Sequence, residues 1–331
     1  MKELPAIVRA LTARDGREWV LATLVSIQGS SYRRPGARLL IGSDGTRLGS
    51  ISGGCLEEDV LARARRVASS GVAETVVYDT TSENDLVWGV GLGCHGVVRV
   101  LIEKLPPHPA WAAALAEAFA ARRTTAVTVT FDSDRTDRLG TRLPTEPEPA
   151  DAAKTFTQVV RPPVALVVFG AGDDAQPVAR LAGELGWQVT IADPRPAFAT
   201  RERFPTADAV VAAPTGELVG RTALDQDSVA VVMTHHYVHD VPLLRELLPL
   251  PLAYLGLLGP RKRAEKILAD LARDGVAPTA AQSARLHAPI GLDIGADAPE
   301  QVALSIVAEI QSVLSGHNAR PLRERTRPIH A

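Results

Sequence analysis

The stretch VALVVFGAGDDAQPVARLAGELGWQVTIADPRP, residues 164–196, decides the fold. It reads as an apolar strand, a glycine turn, an amphipathic helix and a second strand ending on an acid. Gly170-Ala171-Gly172-Asp173-Asp174-Ala175 has the G-x-G-x-x-A spacing directly after VALVVF, and Asp193 stands 23 positions beyond Gly170. Gly170 permits a tight turn, Gly172 lets the backbone approach a phosphate, and Ala175 allows close helix–strand packing. The helix start supplies N–H donors and the positive end of a dipole. Asp193 is the candidate for binding a ribose hydroxyl pair. Asp173 and Asp174 place negative charge beside the expected anion, so an arginine or a metal has to offset them. A Rossmann-like domain that keeps the turn and binds no dinucleotide is the competing reading.

Downstream the alternation continues through Ala209–Ala212, SVAVVMT (228–234), a helix near Val241–Leu248, AYLGLL (253–258), a helix from Lys262 and a last helix over about Ala298–Leu314. Strands alternating with helices predict an α/β fold, a Rossmann-like doubly wound parallel sheet over 163–316. Residues 317–331 form a basic tail. Upstream, WVLATLVSI (19–27) reads as a buried strand and 38–51 as a β-hairpin around Ser43-Asp44-Gly45. Leu56, Val60, Leu61, Ala64 and Val67 recur at helical spacing. Strands follow at 74–78, 97–102 and 124–131, with a helix at 110–123. This predicts an N-terminal mixed α+β domain over 1–142. LPTEPEPADAAK (143–154) is proline-rich and acidic, so 143–162 is expected to be a linker and lead-in.

The 331 residues suit two domains. Hydrophobic residues at 46 % exclude wholesale disorder, and a net charge of −2 gives no reason to expect nucleic acid or an anionic membrane surface as partner. Two cysteines, Cys55 and Cys94, exclude a disulfide scaffold and a four-cysteine metal module. No run of 18 apolar residues predicts a membrane helix, and the charged N-terminus lacks an export signal core. The expected location is the cytoplasm.

Both cysteines sit in glycine loops, Ser52-Gly53-Gly54-Cys55 and Gly91-Leu92-Gly93-Cys94-His95-Gly96. Such glycines permit unusual backbone angles and close approach of a ligand. Cys55 lies at a helix start, which favours thiolate, while Glu57, Glu58 and Asp59 oppose it. A thiolate there is a nucleophile, a sulfur carrier or a soft metal ligand; the alternative is a small buried hydrophobe. Thr234-His235-His236-Tyr237-Val238-His239-Asp240 ends a strand of the parallel sheet, the edge where ligands bind. His235 is the candidate contact there. The four-residue spacing to His239 suits zinc only on a helix, and no H-E-x-x-H pattern accompanies it. Pro260-Arg261-Lys262-Arg263 opens a helix at a strand end, and Arg261 is a candidate phosphate ligand.

Assembled in order, GSSYRRPGARLLI (29–41), GSISGGCLEEDV (49–60), GLGCHG (91–96), FGAGDDAQPVARLAGELGW (169–187), ADPRPAFATRERFP (192–205), MTHHYVHD (233–240), YLGLLGPRKR (254–263) and HAPIGLDIGADAPEQVALSIVAEI (287–310) resemble the XdhC/CoxI family. These are accessory proteins for xanthine dehydrogenase, carbon monoxide dehydrogenase and related molybdenum hydroxylases. The resemblance implies a chaperone, without turnover of its own, that binds molybdenum cofactor, supports its sulfuration and inserts it into the apo-hydroxylase. The cofactor is then molybdopterin or its cytosine dinucleotide form, and the partners are the apo-molybdenum hydroxylase, a cysteine desulfurase and a second copy in a homodimer. The resemblance implies that Cys55 contacts molybdenum or relays sulfur, with Gly53 and Gly54 beside it and Cys94 as the second candidate. Gly170, Gly172, Asp173, Asp193, His235 and Arg261 then hold the pterin phosphate or its nucleotide extension. The rival reading is an NAD(P)-dependent oxidoreductase using the same turn, with Cys55 or His235 as the acid–base group.

Overall fold

The structure, a computed structural model, describes residues 2–13, 15–79, 96–144 and 153–326. The chain divides into two units, Met1–Pro163 and Val164–Ala331.

The first unit runs α1 (Glu3–Thr12), β1 (Trp19–Gly29), β2 (Arg38–Gly42), β3 (Arg47–Gly49), α2 (Glu57–Ser70), β4 (Glu74–Asp79), β5 (Gly96–Lys104), α3 (Ala110–Ala120), β6 (Thr125–Asp132), β7 (Gly140–Arg142) and β8 (Lys154–Val160). Five strands form an antiparallel sheet in the order β3-β2-β1-β5-β4, and three form a second in the order β7-β6-β8. α2 buries Val60, Ala64 and Val67, the stripe that its sequence spacing announced. The connections after Gly29 and Gly49 leave the five-stranded sheet at one end. Asp79 and Gly96 pair with Val97 and Gly29 at that same end.

The expected linker is corrected in part. Residues 154–160 are strand β8, paired antiparallel to β6 from Thr125↔Val160 to Asp132↔Lys154. Phe156, Gln158 and Val160 turn inward while Thr155, Thr157 and Val159 turn out. That period of two is the signature of a half-buried strand. Gln158 accepts a hydrogen bond from Arg38 Nη1, whose side chain is buried in the first unit. Burial pulls the Arg38 pKa down to about 10.

The second unit runs β9 (Ala165–Phe169), α4 (Ala175–Glu184), β10 (Gln188–Asp193), β11 (Ala209–Ala212), α5 (Thr215–Leu218), β12 (Val229–Val232), α6 (Tyr237–Leu247), β13 (Tyr254–Leu257), α7 (Arg261–Arg273), α8 (Ala280–Arg285), β14 (Leu286–His287) and α9 (Pro299–Ser315). The six strands are parallel, in the order β11-β10-β9-β12-β13-β14. Numbered within the unit this is 3-2-1-4-5-6. All of β9, β12 and β13 is buried, as central strands covered on both faces require. Leu166, Val168 and Ile191 pack with α4 and α9 on one face. Val167, Phe169 and Val232 pack with α5, α6 and α7 on the other. The order reverses between β9 and β12, which opens a crevice beyond their carboxyl ends.

Candidate functional sites

In the first unit, Cys55 is exposed on the loop between β3 and α2. Ser52, by contrast, is buried. Its hydroxyl accepts hydrogen bonds from the Gly54 N–H (3.1 Å) and the Leu56 N–H (3.2 Å) and donates to Glu57. The Ser52 N–H donates to Glu57 Oε1 at 2.9 Å, and Ser50 Oγ lies 3.1 Å from the same oxygen. One serine and one carboxylate thus brace the whole loop. Gly54 has φ +114° and open space where a Cβ would stand; a Cβ on Gly53 would stand 3.8 Å from the Tyr32 ring. Partial burial alone would push Glu57 up, but the hydrogen bonds from Ser52 and Ser50 outweigh it and hold it below its ordinary value. The brace is therefore fully present above the ordinary carboxylate range and is lost as pH falls through the lowered value. Ser52→Ala should cost about 1–2 kcal/mol and speed alkylation of Cys55 by a thiol reagent. An unchanged alkylation rate would show that the brace does not fix the thiol. Cys94 and His95 lie outside the described residues.

In the second unit the turn after β9 is built as a close approach. Gly170 has φ +124°, and a Cβ there would stand 2.5 Å from the Met233 carbonyl oxygen at the end of β12. Gly172 has no such constraint; its Cβ would meet only the Asp174 carboxylate. Asp193 is fully buried. Its Oδ2 accepts from the Ala171 N–H (2.7 Å) and Arg195 Nη2 (2.8 Å), and its Oδ1 from the Arg195 N–H (2.8 Å) and Nε (2.9 Å). Burial would raise this carboxyl, but the Arg195 guanidinium and the Ala171 N–H hold it low. Asp193 therefore braces the turn and has no oxygen facing solvent for a ribose.

The two acids that the turn carries are each paired with a side chain from another element. Arg203 Nη2 lies 3.0 Å from Asp173 Oδ1 and 3.0 Å from the Ala171 carbonyl. The Phe198 ring contacts both guanidiniums, its centroid 4.0 Å from Arg195 Cζ and 5.1 Å from Arg203 Cζ. His235 Nε2 lies 2.6 Å from Asp174 Oδ2. Asp174 occupies the N-cap of α4 but makes no side-chain cap; its carboxylate is turned to the histidine instead. His235 adopts φ +61°, unusual for a residue with a Cβ. Its carbonyl accepts from Arg263 Nη1 at 3.1 Å. Arg263 Nη2 also pairs with Asp240, which is buried and accepts from Thr234 Oγ1 at 2.5 Å.

Sequence reasoning singled out Asp173, Asp193 and His235, and the structure brings them to one sheet edge. It did not single out Asp174's partner role, Arg195, Arg203, Asp240 or Arg263. Arg261 is exposed on the first turn of α7, outside this network. Among the described residues no cluster of three or more His, Cys, Asp or Glu could hold a metal ion, and no helix is long and apolar enough to cross a membrane.

A parallel sheet in this order, with a glycine turn at its point of reversal, defines a Rossmann-type domain. Residues 166–310 match the XdhC Rossmann domain and residues 12–79 match the XdhC and CoxI family. A Bacillus subtilis (strain 168) protein named for a probable xanthine dehydrogenase subunit is 32 % identical, over 89 % of this chain and 93 % of its own length. The molybdenum cofactor insertion chaperone PaoD of Escherichia coli (strain K12) is 26 % identical, over 90 % of this chain and 84 % of its own. A crystal structure described as a xanthine dehydrogenase from Bacillus halodurans matches with a TM-score of 0.79 at 29 % identity, covering 98 % of this chain and 99 % of that one. The chain belongs to the XdhC and CoxI family.

Proposed function

We propose that this protein is a molybdenum cofactor chaperone that holds the cofactor, supports its sulfuration and delivers it to an apo-molybdenum hydroxylase. The observation that carries the reading is the exposed Cys55 thiol on a loop locked by Ser52 and Glu57. A thiolate is a soft ligand suited to molybdenum and to carrying sulfur, and the open space at Gly54 leaves room for a ligand to approach. The relatives named for xanthine dehydrogenase and for cofactor insertion support the same role. Cys55 contacts the metal or relays sulfur received from a cysteine desulfurase; Cys94 is the second candidate. The turn at Gly170–Ala175, with His235, holds the pterin phosphate or a cytosine nucleotide extension; Arg261, on the first turn of α7 outside the turn's network, is the more distant phosphate candidate. A homodimer is the proposed assembly. The oxidoreductase reading is weakened because Asp193, the residue that would recognise a nicotinamide dinucleotide's ribose, is spent on Ala171 and Arg195.

The test is expression in a host that makes the cofactor, anaerobic purification, and assay for molybdenum and fluorescent oxidised pterin. The wild type should carry near-stoichiometric pterin, and Cys55→Ser should lose most of its molybdenum while remaining folded. Pterin and molybdenum retained equally by both would move Cys55 to sulfur transfer alone. No pterin in either protein, from a host that loads a control enzyme, would refute the proposal.

A further inference from the structure

The turn in the second unit carries two adjacent carboxylates where an anion is expected, and their neutralisation is unequal. Asp173 is paired with Arg203, whose charge is constant over the physiological range. Asp174 is paired with His235, whose charge is not. The crevice edge therefore changes by one charge when a single imidazole titrates.

We infer that His235 is a proton-carrying binding residue of this crevice: it takes a diphosphate-bearing ligand in its imidazolium form, so that ligand uptake is coupled to a proton. The inference rests on the reading above, in which the turn holds the nucleotide extension of the cofactor, and it specifies how that site is controlled. Three features support it. The His235 side chain is 53 % exposed, so the imidazole reaches both Asp174 and the open crevice. His235 has a left-handed backbone, its carbonyl accepts from Arg263, and its ring reaches Asp174 on the turn. Arg263 is itself anchored by the buried Asp240. The backbone of His235 is therefore backed by the Arg263–Asp240 ion pair, while its ring faces Asp174 and the crevice.

The charged groups that face His235 are Asp174 from the turn, Arg263 from α7 and Asp240 from α6. The neighbouring rings of His236 and His239 face each other edge to face, and His239 Nδ1 is bonded to Thr215. The hydrogen bond to Asp174 is the largest influence and favours the imidazolium; partial burial and Arg263 oppose it, and the net direction is upward from 6.5. The sign follows. Below the ordinary histidine range both acids are neutralised. Above the raised value Asp174 is uncompensated and repels an anion. A unit charge a few ångströms away, screened as in a half-exposed crevice, corresponds to about a five- to tenfold change in affinity.

The probe is CDP-choline, a diphosphate diester whose own charge is constant between pH 6.0 and 8.5. Its binding to the full-length protein is titrated by ligand-observed NMR at both pH values. The wild type should bind about five- to tenfold more weakly at pH 8.5, and His235→Gln should bind with equal affinity at both. Asp174→Asn, which removes the uncompensated charge, should restore affinity at pH 8.5. A wild type with no pH dependence, or a His235→Gln variant that keeps it, overturns the inference and leaves the nucleotide reading standing. No binding at either pH overturns the inference together with the nucleotide part of that reading. A His235→Gln protein whose far-UV spectrum matches the wild type excludes misfolding as the cause.

Discussion

Replacing Gly170 with alanine should unfold or severely destabilise the second unit, by about 3 kcal/mol or more. Two costs add. The residue sits at φ +124°, a conformation that L side chains rarely adopt. The new methyl would also stand 2.5 Å from the Met233 carbonyl oxygen and 2.9 Å from the Thr234 nitrogen. Both are backbone atoms of the neighbouring strand end, so neither can swing aside. The strand would have to move at the place that also positions Thr234 and His235. Gly172→Ala is the matched control: its Cβ meets only a carboxylate oxygen at 2.6 Å, the far end of a flexible side chain. It should cost about 1 kcal/mol or less. Thermal unfolding separates the two, with a fall of about 6–12 °C expected for Gly170→Ala. Equal losses at the two glycines would contradict this account of the turn.

Asp240→Ala should be the second large loss. Asp240 is 1 % exposed and accepts from Thr234 Oγ1 and from Arg263. Removing it takes the charged partner from Arg263, which keeps the His235 carbonyl, and leaves the Thr234 hydroxyl only its longer bond to the His236 carbonyl. Breaking a fully buried ion pair costs about 3–5 kcal/mol; Arg263 retains 21 % exposure and can recover some hydration, so about 2–3 kcal/mol is expected. Asp240→Asn keeps the shape and one acceptor, and should cost less than the alanine variant. Urea unfolding at neutral pH measures both. An alanine variant as stable as the wild type would mean that the Thr234–Asp240–Arg263 chain does not hold the strand end in solution.

The second unit was legible because its signals are local. VALVVF, the glycine turn and the following helix occupy contiguous sequence, and central parallel strands are apolar on both faces. β8 was hidden because its alternation is carried by Phe156, Gln158 and Val160 alone, directly after a proline-rich acidic run. Its partner, β6, is separated from it by β7 and the intervening loops, and sequence periodicity does not report such pairing. The site was legible in its location and not in its wiring. The place of Asp193 at the end of the second strand points to a ribose ligand. The residue that captures Asp193, Arg195, lies two positions on, and its N–H returns to the aspartate as in an Asx turn. That short-range signal was available. Arg203, Asp240 and Arg263 were not recoverable in the same way, because the fold brings them to the turn from three separate segments.

The most direct measurement of the central claim is cofactor transfer. Protein purified anaerobically with its pterin is mixed with a cofactor-free molybdenum hydroxylase, and hydroxylase activity and the pterin remaining on each protein are followed after separation. The account predicts that activity appears as pterin leaves this chain for the hydroxylase, and that Cys55→Ser delivers little or none. Pterin that stays bound while the hydroxylase remains inactive, with a competent free cofactor activating the same preparation, would contradict it.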